Sequence, residues 1–227
     1  MTTYPYHIDH YAIHSLTRLT ELQLGHIVNA LNEKVTPANG ALSGRAGAVS
    51  FHLDGIGDVV LKIYLRGGVL GRIISRTYWG WGTPRCRIEM NQLLYAKSLG
   101  IQVPEPVCHV TEGRHLYKCW LILREITHCH SLSDLSRKNE TEALGHMDDV
   151  RRQVRILIAN KVRHVDLHPG NVLVGENGHV YLIDFDKAHF FSQGKQKLAA
   201  CYTERWARAV RKYNLPDFLN EKMRNLL

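Results

Sequence analysis

Residues 164–186 read HVDLHPGNVLVGENGHVYLIDFD, and the fold turns on how this stretch is understood. Two short apolar runs, NVLV and VYLIDF, flank GENGH, in which Asn177-Gly178 is a strong signal for a tight hairpin. Around that hairpin stand Asp166, Asn171, Asp184 and Asp186. Taken singly, each has a structural use: Asp166 as a cap, Asn171 as a turn former, Asp184 as the polar end of a strand. Taken jointly, the hairpin carries Asp184 back beside Asn171, which follows Asp166 by five residues. Hard oxygen donors are thereby gathered next to segments that seek burial.

Phosphoryl transfer from ATP needs a divalent metal on hard oxygens, cations on the phosphates and a carboxylate at the acceptor hydroxyl. Protein-kinase-like enzymes write the loop as H-R-D-L-x-x-x-N, followed by D-F-G. Here the loop reads His164-Val165-Asp166-Leu167-His168-Pro169-Gly170-Asn171, and Asp184-Phe185-Asp186 follows. The spacing predicts Asp166 as the catalytic base and Asn171 and Asp184 as ligands of Mg²⁺. His164 is expected to brace the loop rather than move a proton. Asp186 is read either as a cap or as an acceptor contact.

The same chemistry makes a demand upstream. In VVLKIYL, period-2 alternation puts Val60, Lys62 and Tyr64 on one face of a strand. Lys62 is then expected on the ATP phosphates and Val60 against the adenine. Gly44, Gly47 and Val49 match the last two glycines and the valine of G-x-G-x-x-G-x-V, with Leu42 where the first glycine would stand. Glu89, opening a helix over 88–99, is the expected partner of Lys62.

Outward from these residues, a helix is expected over 17–34, a hairpin in AVSFHLDGIGDVVLKIYL, and strands in VPEPVCHV and LYKCWLILREI. A helix over 148–162, with Asp148 and Asp149 at its start, and helices around ERWARAVRKY complete the chain. Strands with one helix come first, then mainly helices around one small hairpin. The expected class is α+β with a protein-kinase-like bilobal layout: a small antiparallel-sheet lobe over 1–125 and a mainly helical lobe over 126–227.

With 227 residues, 44% hydrophobic and 22% charged, the composition is that of an ordinary globular protein. No apolar run is long enough to cross a bilayer, and MTTYPYHIDHYAIHSL lacks the pattern of a secretory signal, so residence in the cytosol is expected. The five cysteines are scattered and read as reduced thiols; His128-Cys129-His130 is not expected to bind metal, because neighbours on a strand face opposite ways. A formal charge of +8 suits an anionic partner. From Lys62 to Arg87, both included, there are six basic residues and no acidic one, interleaved with Tyr78, Trp79 and Trp81. Arg66, Arg76 and Arg85 suit phosphate or carboxylate, and Trp79 and Trp81 suit a membrane interface, unless the patch is only a solvated face. No helix-turn-helix, RNP or zinc-knuckle pattern is present, so nucleic acid is not expected, nor is an obligate protein partner.

With these residues in view, the chain resembles the lipopolysaccharide core kinases, in particular those acting on 3-deoxy-D-manno-octulosonic acid (Kdo). The resemblance spans about residues 40–215 and is carried by YLRGG, TPRCRIEMNQLL, SLGIQVPEPV, HVDLHPGNVL, LIDFDKA and RWARAVRKY. Val165 and His168 depart from the His-Ala-Asp-Leu-Asn more often found there. The resemblance implies ATP- and Mg²⁺-dependent phosphorylation of a Kdo hydroxyl on a lipid A precursor, an anionic glycolipid. It also implies peripheral attachment to the cytoplasmic face of the bacterial inner membrane. Residues 187–227 carry no A-P-E motif, which speaks against a peptide acceptor. Two other readings share the motif: a small-molecule phosphotransferase of the aminoglycoside or choline kind, and a nucleotide-binding pseudokinase.

Overall fold

The computed structural model describes residues 3–32, 48–64, 78–79, 82–114 and 116–227. Leu42, Gly44, Gly47, Arg66, Arg76 and Trp81 lie outside the described residues, and only the backbone of Trp79 is described. The chain divides into two compact units, residues 1–91 with 105–125 and residues 92–104 with 126–227. Its class is α+β, with antiparallel sheets and several helices.

The first unit is built on one antiparallel sheet. Its strands are β1 (Tyr4–Ile8), β2 (Tyr11–Ser15), β3 (Ala48–Leu53), β4 (Gly57–Ile63), β5 (Tyr78–Trp79), β6 (Pro106–Glu112) and β7 (Leu116–Arg124). They lie in the order β1-β2-β6-β7-β4-β3, with β5 paired to β7. The β1–β2 hairpin is an addition to the expected layout. Its signal was present in the alternation of YAIHS, and Asp9, at φ 51°, supplies the left-handed residue that a two-residue hairpin loop requires.

Helix α1 (Glu21–Asn32) starts at a reciprocal cap: Thr20 Oγ1 accepts from Gln23 N–H at 3.2 Å, and Gln23 Oε1 accepts from Thr20 N–H at 2.8 Å. Its buried Leu24, Ile27 and Val28 share a core with Val59, Leu61, Val110 and Ile122. Odd positions of β4 therefore face this core, and even positions, Val60 and Lys62 among them, face the other way.

A histidine is buried in the same sheet. His109 on β6 is 4% exposed, stacks on His14 at 4.9 Å, and leaves Nδ1 without a hydrogen-bond partner. Burial pushes its pKa down to about 4. The unfolded chain therefore binds a proton below about pH 6.5 that the folded chain refuses until about pH 4. Stability is expected to fall between those limits by on the order of 3 kcal/mol from this group. Urea unfolding at pH 8 and pH 5 checks this: His109→Leu should flatten the dependence, and an unchanged slope would refute it.

The second unit is mainly helical. Helix α2 (Arg85–Ser98) begins with the first unit's residues and ends before Gly100, whose φ of 82° suits glycine at a helix end. Strand β8 (Cys129–Ser131) leads into α3 (Leu132–Lys138) and α4 (Glu140–Ala159). Helix α4 starts eight residues earlier than expected, because Asn139 Oδ1 accepts from Glu142 N–H at 3.2 Å and caps it. Asp148 and Asp149 are thus mid-helix, paired with Arg151 and Arg152, and do not open the helix. The remaining elements are β9 (Val162–Arg163), β10 (Val172–Gly175), β11 (Val180–Leu182), β12 (His189–Phe190), α5 (Lys195–Lys212) and α6 (Phe218–Lys222). Strands β11, β10 and β8 form one small sheet, and β12 and β9 another. All five cysteines are free thiols, and no cluster of three or more His, Cys, Asp or Glu side chains able to hold a metal occurs among the described residues.

Candidate active site

Residues 164–171 link β9 to β10 and are locked at both ends. Tyr202 of α5, buried, donates its hydroxyl to Val162 C=O at 2.8 Å and accepts from His164 N–H at 2.8 Å. Burial pushes that phenol's pKa up, so it remains a donor. At the far end, Pro169–Asn171 makes a 3₁₀ turn capped by His168, whose Nδ1 accepts from Gly170 N–H at 3.1 Å. Asn171 is 2% exposed, and its Nδ2 donates to Asp166 C=O at 2.8 Å. The amide nitrogen is thereby committed to the loop, which fixes the orientation of the side chain and of Oδ1, its ligand-type oxygen.

The β10–β11 hairpin pairs Val172 with Leu182, and Ile183 N–H donates to Asn171 C=O at 3.1 Å. Asp184 comes next, and its φ of 69° puts it in the left-handed region. An L-residue held there signals a conformation imposed by its surroundings. Those surroundings are visible on both sides. His164 Nε2 donates to Ile183 C=O at 2.8 Å, and its ring meets the buried Phe185 edge-on at 4.5 Å. Burial lowers the pKa of His164, and Nδ1 has no hydrogen-bond partner, so the ring is neutral with its proton on Nε2. His164 is a brace for the segment that presents Asp184. Asp186 occupies the second position of a turn closed by Ala188 N–H on Phe185 C=O at 2.9 Å.

Asp166 has a partner that the sequence reading missed. Arg205 of α5 donates from Nε at 3.0 Å and Nη2 at 2.6 Å, both to Oδ1. The carboxylate is 46% exposed, so Oδ1 is pinned while the group still opens to solvent. Arg205 lies 39 residues downstream in a helix readable only as amphipathic, and no local pattern ties it to the loop.

The first unit gathers a second set. Lys62 Nζ lies 2.8 Å from both carboxylate oxygens of Glu89, which is 1% exposed. Tyr64 donates its hydroxyl to Glu89 Oε2, and burial beside that carboxylate holds the phenol well above its usual pKa. Arg85 stacks over the Tyr64 ring at 5.4 Å, so it joins the Lys62–Glu89 group. Val60 is buried on the same strand face. Val49 is not brought to this group: it is paired with Leu61 and packs on the α1 side of the sheet, whereas Ser50 is the β3 residue paired with Val60.

Breaking a buried ion pair strands the remaining charge. Lys62→Met should destabilise the fold by about 3 kcal/mol in urea unfolding, since the buried Glu89 carboxylate loses its ammonium partner. Lys62→Met/Glu89→Met should recover most of that loss. A double variant worse than the single one would contradict the pairing.

The donor set fits Mg²⁺ in chemistry: one carboxylate at Asp184 and one amide oxygen at Asn171 are hard ligands, and phosphate oxygens and water complete such sites in nucleotide enzymes. A cage of three protein ligands is not required.

A family model described as the lipopolysaccharide kinase (Kdo/WaaP) family matches residues 31–205. Among curated relatives, a 3-deoxy-D-manno-octulosonic acid kinase of Vibrio cholerae serotype O1 is 28% identical over 57% of this chain and 56% of its own length. Proteins of the same description from Vibrio parahaemolyticus and Photobacterium profundum are 26% identical over 73% of this chain and 32% identical over 58%, covering 70% and 56% of their own lengths. The chain thus spans little more than half of two of these three relatives. With a match over most of its length, the chain belongs to the lipopolysaccharide kinase (Kdo/WaaP) family, a family of phosphotransferases with a hydroxyl acceptor.

Proposed function

We propose that this chain is an ATP-dependent kinase that phosphorylates a hydroxyl of Kdo on a lipid A precursor, on a protein-kinase-like bilobal fold. The observation that carries the reading is the locked loop: Asn171 tied to the Asp166 backbone, with Asp184 presented one residue after the Ile183–Asn171 hydrogen bond. The names of the relatives supply the acceptor class.

Asp166 acts as the base. Arg205 holds Oδ1 and orients the carboxylate, leaving Oδ2 to accept the proton of the acceptor hydroxyl. The hydroxyl oxygen forms its bond to the γ-phosphorus as the bond to the β-phosphate bridging oxygen breaks, and ADP leaves with that electron pair. Lys62, fixed by Glu89, neutralises phosphate charge, and Val60 offers an apolar contact to the adenine. Asn171 and Asp184 would hold Mg²⁺, which when bound would neutralise the developing phosphate charge.

Arg66, Arg76, Trp79 and Trp81 are proposed to meet the anionic glycolipid at the cytoplasmic face of the inner membrane. No helix among the described residues is long and apolar enough to cross a membrane, and the proposed attachment is peripheral. The test is to supply ATP, Mg²⁺ and Kdo-bearing lipid A and to locate the added phosphate by mass spectrometry. Phosphate on a Kdo hydroxyl is expected. Transfer to choline or an aminoglycoside, with none to the lipid, would overturn the acceptor.

A further inference from the structure

A cavity of about 540 Å³ lies between α5 and α6, within the second unit and outside the loop just described. Its floor is made by Thr203, Ala207 and Met223, and its rim by Glu204, Arg208, Arg211 and Arg224. None of the three arginines has a carboxylate partner among the described residues. The three guanidinium groups outnumber Glu204 on this rim, and an anion relieves their mutual repulsion through charge-assisted hydrogen bonds.

A second observation comes from Asn220, which also lines the cavity. Its Nδ2 donates to Asp217 Oδ1 at 2.9 Å, but its Oδ1 is buried with no hydrogen-bond partner. An acceptor buried and unsatisfied costs about 1–3 kcal/mol, so a donor belongs there. Glu204 adds another acceptor at the rim. A simple anion such as phosphate uses the arginines and leaves both acceptors idle. A ligand carrying an anionic group together with several hydroxyls uses all of them.

We propose that this cavity binds an acidic sugar, its carboxylate or phosphate on Arg208, Arg211 and Arg224 and its hydroxyls on Asn220 Oδ1 and Glu204. Resting on the reading of an anionic glycolipid acceptor, it holds part of that acceptor away from the reacting hydroxyl. The helix supports this division of labour. Arg205, which pins Asp166, precedes Arg208 by three residues, about 4.5 Å along the helix axis.

The test titrates the full chain by calorimetry with free Kdo, glucosamine 1-phosphate, inorganic phosphate and glucose. Both acidic sugars should bind, phosphate more weakly, and glucose not measurably. Arg208→Gln/Arg224→Gln should weaken both acidic sugars by roughly tenfold or more, and Asn220→Leu should weaken the sugars but not phosphate. Thermal melting verifies that the variants fold. Unchanged affinities in the arginine variant, or phosphate binding as tightly as either sugar, would overturn the proposal. Kinetics separate it from the proposed function. An acceptor KM unchanged in Arg208→Gln/Arg224→Gln, with the lipid still phosphorylated, sinks the cavity alone. Arginine-dependent sugar binding without any lipid phosphorylation sinks the acceptor role, while the sugar site stands.

Discussion

Asp184→Gly is expected to lower Mg²⁺-supported turnover by roughly 10³-fold while leaving the fold within about 1 kcal/mol of its original stability. The two halves of this result have separate causes. Glycine adopts the left-handed φ of 69° without a Cβ penalty, so the strain carried by Asp184 is relieved. The greater freedom of glycine in the unfolded chain offsets part of that gain. The carboxylate, however, is the only charged ligand proposed for the metal, and its loss removes stabilisation where charge develops in the transition state. Steady-state rates across a Mg²⁺ titration, paired with urea unfolding, measure both. A variant that is strongly destabilised would show that the conformation is not strained. One with normal turnover would remove Asp184 from the metal site.

Asp166→Ala should slow phosphoryl transfer by roughly 10²–10⁴-fold, the range for a positioned acid–base group, with ATP binding kept. The carboxylate is 46% exposed and bears no packing duty, so the loop locked by Tyr202, His168 and Asn171 should survive its removal. Arg205→Ala tests orientation. It should reduce kcat by a smaller factor, with Arg205→Lys only partly restoring it, because an ammonium cannot reproduce the two-nitrogen grip on Oδ1. If Arg205→Ala unfolded the protein rather than slowing it, the arginine would be structural instead.

Much of this was legible in the residues because it is local. The Asn177-Gly178 turn and the spacing of Asp166, Asn171 and Asp184 placed the hairpin, and alternation in VVLKIYL placed Val60 and Lys62 on one face. What escaped was carried by tertiary structure. Arg205 meets Asp166 because α5 packs against the loop, and the Tyr202 bridge arises from the same packing. Val49 was read by its offset from the glycines, yet register decides its face, and pairing with Leu61 sends it to the α1 core. The β1–β2 hairpin and the early start of α4 were set by short signals, Asp9 and Asn139, that longer hydrophobic patterns overshadowed.

The most direct measurement is transfer of radiolabelled γ-phosphate from ATP to Kdo-bearing lipid A by the wild-type chain and by Asp166→Ala, with and without Mg²⁺. The account predicts label in the lipid for wild type with Mg²⁺, and at most about a hundredth of that rate when Asp166 is replaced. Equal labelling by the two proteins would contradict it.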